Sequence, residues 1–239
     1  MTTIQAIFFD LDNTLLDGSR FHEAIHRTCN QIATVQPGLS AERLLEANSE
    51  IWQSYWPQVE PQWTIGTLDG KAVSREAWRQ TLQACGCDDD SLRQLALAYH
   101  LQFGRETYQL FDDVPALFAE LKESDIRLAL ITNGAADTQR DKLEALGITA
   151  WFDALIISGE IGIAKPDPAI FELALKQVDV EPTQAWHIGD TLATDIAGAK
   201  AAGVAAVWIN RSNRTRREYD PKPDIEIDSL SRIPSLLAA

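Results

Sequence analysis

Two aspartates near the beginning of the chain, Asp10 and Asp12, are spaced so that they could act on one chemical group. They follow an apolar run, residues 4–9, which predicts a short buried strand. Side chains at positions i and i+2 of an extended segment lie on the same face, so both carboxylates can point into one small volume. Because such carboxylates repel each other unless a cation or a shared proton relieves them, the pattern indicates a hard cation such as Mg²⁺. The alternative is an ordinary turn at the strand end, with Asp12 or Asn13 bonded to nearby backbone.

Later segments favour the metal interpretation, because polar residues follow further apolar strand candidates in the same way. Residues 127–131 are followed by Thr132 and Asn133, and residues 185–188 are followed closely by Asp190. In open α/β sheets, ligands bind at the carboxyl ends of the strands. Strand ends of this kind therefore predict one shared site.

Two more candidates lie beside predicted helices. Lys165 precedes a helical run, residues 167–178, and Asp195 lies on the helix after Asp190. With them, the chain resembles the haloacid dehalogenase-like hydrolase superfamily over its whole length, apart from a central insertion. The four motifs of that superfamily occur here in order, as Asp10 with Asp12, Thr132, Lys165, and Asp190 with Asp195. Residues 189–196 are especially similar to the branches that dephosphorylate sugar phosphates and nucleotides.

The resemblance implies a role for each motif residue that acts on the substrate. Asp10 would attack phosphorus and form an aspartyl-phosphate, since a carboxylate with an ordinary pKa of about 4 is ionised without a base. Asp12 would protonate the leaving alkoxide and then activate water. Thr132, Asn133 and Lys165 would bind the transferring phosphoryl group, with the lysine countering charge on its oxygens.

The resemblance also implies a Mg²⁺ cofactor. Its ligands would be the Asp10 carboxylate, the Asp12 main-chain carbonyl and the Asp190 carboxylate. Asp195 would orient these ligands or their waters without binding the metal itself. An exposed acid in the first turn of a helix is the alternative for Asp195. Thr14 would be a supporting hydroxyl or a turn former.

The composition limits the class of partner. The chain has 239 residues, of which 45% are hydrophobic, as expected of a protein that buries a sizeable core. A formal net charge of −14 argues against binding to nucleic acid polymers or anionic membranes, because the general field repels phosphate. Three cysteines without zinc-like spacing, and no visible signal peptide or membrane-spanning run, predict a cytoplasmic protein. The expected partner is a small phosphate ester, and the oligomeric state is not predicted.

The pattern of periodicity divides the chain into two parts. Helices are predicted near residues 20–35, 40–56, 74–85 and 89–107, with starts at Ser40 and Ser74 and a break from Pro57 to Pro61. After Asp112 the pattern alternates. Helices are predicted at 114–124, 137–146, 167–178 and 191–202, and strands at 127–131, 154–158, 185–188 and 205–209.

This alternation predicts an α/β fold, a Rossmann-like parallel sheet with helices on both faces. The predicted core comprises residues 1–18 and 108–239. Residues 19–107, here called the insert, are expected to form the α-helical cap of the superfamily. All four motifs lie outside the insert, which is therefore expected to choose the substrate while the core performs the chemistry.

A competing metal motif lies in the insert. Residues 22–26 read His-Glu-x-x-His, and Glu46 has a spacing that some zinc peptidases use for a third ligand. On a helix, His22 and His26 share a face. Ala24 stands where those peptidases usually have a bulky apolar residue, so we expect the two histidines to be exposed and near the substrate instead.

Two groups of side chains each have a structural and a functional interpretation. The first group is Trp52, Trp56, Trp63 and Trp78, which we expect to form the small core of the insert, with a role in lining the pocket as the alternative. The second group is Arg211, Arg214, Arg216 and Arg217, expected in a solvated loop, with a subunit contact as the alternative.

The sequence therefore predicts a Mg²⁺-dependent phosphatase of a small phosphorylated metabolite, a sugar phosphate or a nucleoside 5′-monophosphate. The overall resemblance is to phosphatases of N-acylneuraminate 9-phosphate or of pyrimidine 5′-nucleotides. A phosphomutase of the same superfamily is one alternative. A receiver-like phospho-accepting module is another, although such a domain is about half as long. The dehalogenase branch is disfavoured, because it lacks an acidic residue at the position of Asp12.

Overall fold

A parallel six-stranded sheet lies at the centre of the computed structural model, which describes residues 3–238. Its strands are β1 (Ala6–Phe9), β2 (Arg127–Thr132), β3 (Ala154–Ile157), β4 (Ala185–Gly189), β5 (Ala205–Ile209) and β6 (Ile225–Ile227). Their order is β3-β2-β1-β4-β5-β6, and every neighbouring pair is parallel. The predicted α/β class is confirmed, and β6 is a three-residue strand that the sequence did not predict.

Within residues 3–238, ten α-helices cover the sheet and form the insert. They are α1 (Phe21–Val35), α2 (Ala41–Thr64), α3 (Gly70–Ala84), α4 (Asp90–Thr107), α5 (Val114–Leu121), α6 (Ala136–Leu146), α7 (Ser158–Ile161), α8 (Pro168–Val178), α9 (Ala197–Ala201) and α10 (Ile233–Leu237). No helix within residues 3–238 is long and apolar enough to cross a membrane.

Helices lie on both faces of the sheet, and β1 shows why. Its alternate residues enter different hydrophobic clusters, with Ile7 and Phe9 on one side and Ala6 and Phe8 on the other. All four are fully buried. A strand buried on both faces reads as a continuous apolar run, and this is the pattern that predicted it.

The insert has its own small core between α1, α2, α3 and α4. Its buried members are Cys29, Ile32, Leu44, Trp78, Leu82, Leu92 and Ala96. A buried hydrogen bond of 3.0 Å from Asn48 Nδ2 to Thr81 Oγ1 joins α2 to α3. The four predicted helices are present, and the domain boundaries at 18 and 108 stay a prediction.

Helix α2 does not end before Pro57, as predicted, but continues through Pro61 to Thr64. A proline inside a helix removes one N–H donor and leaves the carbonyl four residues earlier without its helical partner. Those carbonyls belong to Gln53 and Pro57, which are both exposed to water. Solvent can therefore replace the lost bonds, and the helix tolerates both rings.

Helix α3 begins four residues before the predicted start at Ser74. Asp69 is its N-cap and accepts a 2.6 Å hydrogen bond from the Ala72 N–H. The carboxylate of Asp137, on α6, accepts further bonds from the N–H groups of Gly70 at 2.9 Å and Lys71 at 3.0 Å. The carboxylates of Asp69 and Asp137 thus accept hydrogen bonds from the first N–H groups of the helix, which have no partner within it. These contacts explain why the helix begins before Ser74.

Candidate active site

The strand register brings the motif residues to one edge of the sheet. Phe9 is paired with Leu130 on one side and with Ile188 on the other. Consequently Asp10, the next residue, lies between the ends of β2 and β4, and its N–H donates to the Ile188 carbonyl at 2.9 Å. Carboxylate oxygens of Asp10, Asp190 and Asp195 all lie within 4.8 Å of one another.

Lys165 reaches this edge from the loop before α8 and is 4% exposed. Its Nζ donates to Asp10 Oδ1 at 2.6 Å, to Asp195 Oδ1 at 2.7 Å and to the Ile131 carbonyl at 2.8 Å. All three ammonium protons therefore have an acceptor. Burial lowers the pKa of Lys165, but the two carboxylates outweigh it and hold the pKa above its ordinary value. The lysine is a fixed positive charge.

The Asp10 carboxylate is the most perturbed group of the site. Burial raises its pKa to about 8, Lys165 opposes the shift, and the charges of Asp195, Asp190 and Asp12 add to it. Burial also raises the pKa of Asp190, with Asp195 adding to the rise. One ammonium thus faces more carboxylate charge than it can balance.

Asp195 is a buried carboxylate whose two oxygens are occupied. Oδ1 accepts from Lys165 and lies 3.0 Å from His187 Nε2, and Oδ2 accepts from the Thr191 N–H at 3.0 Å. Burial would raise its pKa, but Lys165 and His187 hold the pKa below the ordinary range. Because Asp195 is 1% exposed, the interpretation as an exposed helix acid is wrong. Any Cβ at Gly189 would collide with the Asp195 side chain, so glycine is required there.

The loops after β2 and before α8 are tied to each other by Asn133. Its Oδ1 accepts from the Lys165 N–H at 2.9 Å, and its Nδ2 donates to the Lys165 carbonyl at 2.9 Å. The Gly134 N–H donates to Ser158 Oγ at 2.8 Å. Asn133 thereby fixes the loop that carries Lys165, so its side chain positions the lysine. Its predicted role in binding the phosphoryl group stays a prediction.

Asp12 lies beside two residues that the sequence did not single out, Gln139 and Lys142 on α6. Lys142 Nζ lies 2.7 Å from Asp12 Oδ1 and 2.9 Å from Oδ2. Gln139 Nε2 donates to Asp12 Oδ2 at 3.1 Å and to Thr132 Oγ1 at 2.5 Å. Both side chains are buried. Their spacing of three along a predicted helix, which places them on one face, was the feature of the sequence that could have indicated the pair.

The turn that follows Asp12 is real and coexists with the site. Asn13 has a φ of 60°, a left-handed conformation that asparagine tolerates better than most residues. Thr14 is fully buried, and its Oγ1 has no hydrogen-bond partner among residues 3–238. The Thr14 carbonyl accepts from Arg211 Nη2 at 2.9 Å.

The arginines after β5 are only partly a solvated loop. Arg211 forms two 2.9 Å hydrogen bonds to the Asp113 carboxylate. Arg214 Nη2 donates to the Asp190 carbonyl at 2.6 Å. The expectation of a solvated loop is therefore wrong for Arg211, whose side chain is 18% exposed and holds the backbone of the first motif. Arg214 is exposed, as expected, although it also bonds to the backbone of the last motif. Arg216 and Arg217 are exposed, as expected.

The insert contacts the core beside the second motif. Ser158 Oγ donates to the Thr64 carbonyl at 2.5 Å. A Cβ on Gly134 would lie 2.5 Å from the Trp63 ring, so this ring packs directly on the glycine backbone. Trp52, Trp56 and Trp63 continue along one face of α2, with ring centroids 6.0 and 5.2 Å apart in turn.

These three indoles are partly exposed, whereas Trp78 is 1% exposed within the core of the insert. The expectation that the tryptophans form that core is thus confirmed for Trp78 and wrong for the others. The partly exposed rings lie on the helix face that reaches the second motif.

The residues of the competing zinc motif have other partners. Glu23 forms a 2.8 Å bond with Arg20, and Glu46 lies 3.6 Å from Arg43. His22 Nδ1 lies 2.9 Å from the Ser19 carbonyl. Within residues 3–238, the one group of three or more side chains that could hold a metal is the aspartate cluster at the sheet edge.

A family profile described as haloacid dehalogenase-like hydrolase matches residues 4–203. The chain belongs to this family. It is 32% identical to N-acylneuraminate-9-phosphatase of Mus musculus, over 99% of this chain and 95% of that protein. It is 37% identical to phosphoserine phosphatase of Thermus thermophilus, over 65% of this chain and 61% of that protein. These relatives support hydrolysis of phosphoric monoesters as the activity of the enzyme.

Among solved structures, a 2-haloacid dehalogenase from Pseudomonas syringae pv. tomato DC3000 matches with a TM-score of 0.71. The two chains are 32% identical, and the match covers 99% of each. The predicted fold and superfamily are therefore confirmed, and dehalogenases stand among the structural neighbours of this hydrolase.

The donor set of the hydrolase suits a hard divalent cation. The clustered groups are carboxylates, which are the ligands that Mg²⁺ prefers, and no thiol or imidazole belongs to the cluster among the described residues. The raised pKa values of Asp10 and Asp190 indicate carboxylate charge that a cation would neutralise. Since the oxygens of Asp195 are already bonded, Asp10 and Asp190 are the side chains best able to bind it.

Proposed function

We propose that this hydrolase is a Mg²⁺-dependent phosphatase that forms an aspartyl-phosphate on Asp10. The observation that carries the proposal is the placement of Asp10. It is a buried carboxylate at the centre of the strand ends, 2.6 Å from a fixed ammonium and next to the carboxylates of Asp190 and Asp195. Oxygen nucleophile, cation and metal ligands thus meet at one point.

The residues perform two steps in this proposal. Asp10 attacks phosphorus as the ester bond breaks, and Asp12 gives its proton to the departing alkoxide. Asp12, now ionised, then takes a proton from water as that water attacks the aspartyl-phosphate, which releases phosphate and restores Asp10. Lys165 and Thr132 bind the phosphoryl oxygens, where charge develops.

Mg²⁺ would be held by the carboxylates of Asp10 and Asp190 and by the Asp12 carbonyl, with Asp195 and Thr14 supporting them. When bound, the ion neutralises the crowded carboxylates and polarises the phosphoryl group. A location in the cytoplasm stays a prediction.

The proposed substrate is a small phosphate ester, a sugar phosphate or a nucleoside 5′-monophosphate. The stripe of Trp52, Trp56 and Trp63 supports this class, because indole faces pack well against the C–H face of a sugar or against a base. The Trp63 end of the stripe packs on Gly134, beside Thr132 and Asn133. A leaving group bound there would therefore extend along α2. The mouse relative is an N-acylneuraminate-9-phosphatase, and a phosphatase of a sugar acid agrees with this class.

Dehalogenation is the second candidate, because the Pseudomonas syringae dehalogenase shares 32% identity with this chain. In that reaction a carboxylate displaces halide from carbon. No leaving-group proton is needed, so the carboxylate of Asp12 would have no task.

One panel of assays tests both candidates. Purified protein with Mg²⁺ is incubated with phosphorylated sugars, nucleotides and phosphoserine, and phosphate release is measured. In parallel, halide release from 2-chloropropionate is measured, and isomerised sugar phosphates are sought to detect a mutase.

We expect phosphate release, its loss in Asp10→Asn, and no halide. Asp125→Asn, at an exposed position, is the matched control. Mass measurement excludes deamidation of the Asp10→Asn variant back to aspartate. Halide release without phosphate release would replace the proposal by dehalogenation.

A further inference from the structure

We propose that Lys142 and Gln139 are positioning residues for Asp12 and Thr132. The inference rests on the proposed function, because it assumes that Asp12 is the proton donor and acceptor of the phosphatase. It adds two residues of α6 to a site whose four motifs do not contain them.

The contacts of Lys142 leave its ammonium no freedom. It has three protons and three acceptors, which are Asp12 Oδ1 at 2.7 Å, Asp12 Oδ2 at 2.9 Å and Gln139 Oε1 at 2.9 Å. The lysine is 7% exposed, and a buried ammonium is retained only when it is paired. Both oxygens of Asp12 are therefore held from one side.

Lys142 also determines which way the Gln139 amide points. An ammonium group can only donate, so the end of the amide that faces it must be the acceptor Oε1. The donor Nε2 must then face the other way, where it reaches Thr132 Oγ1 at 2.5 Å and Asp12 Oδ2 at 3.1 Å. Gln139 is fully buried, which leaves its amide no solvent to turn toward.

The Gln139 amide in turn orients the Thr132 hydroxyl. A hydroxyl has one proton and two lone pairs, and the Gln139 N–H occupies a lone pair. The Thr132 proton is consequently free to be donated to a phosphoryl oxygen. One chain of donors, from Lys142 through Gln139 to Thr132, sets both the acid/base carboxylate and the hydroxyl that binds the phosphoryl group.

The fold itself does not need the ion pair between Lys142 and Asp12. The Asp12 side chain is 30% exposed, so water could solvate it without a lysine. Removing the ammonium should therefore let Asp12 rotate and let the Gln139 amide turn, while the fold persists. Misplacing a reacting group by about 1 Å costs about 100-fold in rate, so we expect turnover to fall by about 10- to 100-fold.

The test compares an aryl and an alkyl substrate in Lys142→Met. Nitrophenolate leaves 4-nitrophenyl phosphate without a proton, so the first step with this substrate needs no acid. The value of kcat/KM reports the steps up to departure of the leaving group, whereas kcat includes hydrolysis of the aspartyl-phosphate. For the aryl substrate we expect kcat/KM to fall less than kcat, because its first step loses the orientation of Thr132 but needs no proton from Asp12. For the best alkyl phosphate of the panel, both should fall.

Three companion measurements separate positioning from folding. Lys142→Arg keeps a cation and paired donors for Asp12, so it should recover most of the turnover, whereas Lys142→Gln should recover less. Lys176→Met, at an exposed lysine of α8, is the matched control. Thermal unfolding and Mg²⁺ binding should be nearly the same in Lys142→Met and in this control. If Lys142→Met does not fold, the Arg and Gln variants carry the same comparison.

Two results would overturn the positioning role. One is wild-type turnover of both substrates by Lys142→Met. The other is an equal loss of kcat/KM for both substrates, which would place Lys142 on the phosphoryl group itself. Failure of the proposed function looks different, because the wild-type protein would then release no phosphate from any ester, and the positioning role would fall with it.

Discussion

Replacing Asp10 by asparagine should remove activity and also change how the stability of the metal-free protein depends on pH. Asp10→Asn keeps the shape of the side chain and removes one of the carboxylates around Lys165. The remaining pair, Lys165 with Asp195, joins one positive to one negative charge at 2.7 Å. Its buried charge is therefore balanced without a metal.

The expected size follows from the raised pKa of Asp10, about 8, against an ordinary value of 3.8. Between these values the unfolded chain has lost the Asp10 proton and the folded chain keeps it. The wild-type free energy of unfolding therefore decreases as pH rises through this range. The slope is at most about 1.4 kcal/mol per pH unit, or about 3 kcal/mol between pH 5.5 and pH 7.5. The asparagine variant lacks this contribution.

The assay is urea unfolding, followed by tryptophan fluorescence in a chelator at both pH values. The stability of Asp10→Asn relative to wild type should improve by about 1–3 kcal/mol from pH 5.5 to pH 7.5. Saturating Mg²⁺ should remove this change, because a bound cation favours the ionised carboxylate. Asp125→Asn, at an exposed site, should show no such trend. A stability difference between Asp10→Asn and wild type that does not change with pH would refute the reasoning.

Three further outcomes are expected. A chelator should abolish phosphate release, and Mg²⁺ should restore it better than Ca²⁺, whose looser coordination misplaces the carboxylate. The double variant His22→Ala, His26→Ala should stay active. Rescue of activity by zinc alone would contradict the proposed metal site. Trp56→Ala should reorder the preference among phosphorylated metabolites while changing hydrolysis of 4-nitrophenyl phosphate little, and a uniform loss across all esters would show that the insert takes part in catalysis. Gly134→Ala should lower both stability and turnover, because its φ is 142° and the new Cβ would lie 2.5 Å from Trp63; Trp63→Ala in the same protein should recover part of the stability, and no recovery would contradict the packing argument.

The centre of the fold was predictable because its signals are local. The apolar run before Asp10 is buried on both faces of the sheet, and parallel strands must align their carboxyl ends. Asp10, Asp190 and Lys165 could thus be expected together before any distance was known. The ordered motifs then gave each of them a role by resemblance.

The supporting residues could not be predicted, since their function depends on contacts between distant segments. Lys142 is an ordinary helical lysine until α6 packs beside Asp12, 130 positions away in sequence. Arg211 reaches Thr14 over 197 positions, and nothing near it in sequence distinguishes it from Arg216. The prolines of α2 illustrate the opposite error. The local rule that a proline ends a helix failed here, because the residues whose carbonyls lose their partners are exposed to water.

Helix α6 has consequences for exchanging inserts between related enzymes. Its Asp137 accepts hydrogen bonds from the first N–H groups of α3. One turn farther along α6, Asp141 forms an ion pair with Arg105 of α4. Gln139 and Lys142 project from the opposite side, toward Asp12. A foreign insert would therefore need a helix that begins where α3 begins, with free N–H groups for Asp137. A glycine at position 70 would also suit this contact, because a Cβ there would displace the Thr138 hydroxyl. Engineering of new substrate ranges is thus most constrained at residues 69–71 and at the end of α2, where Trp63 and Thr64 contact the core.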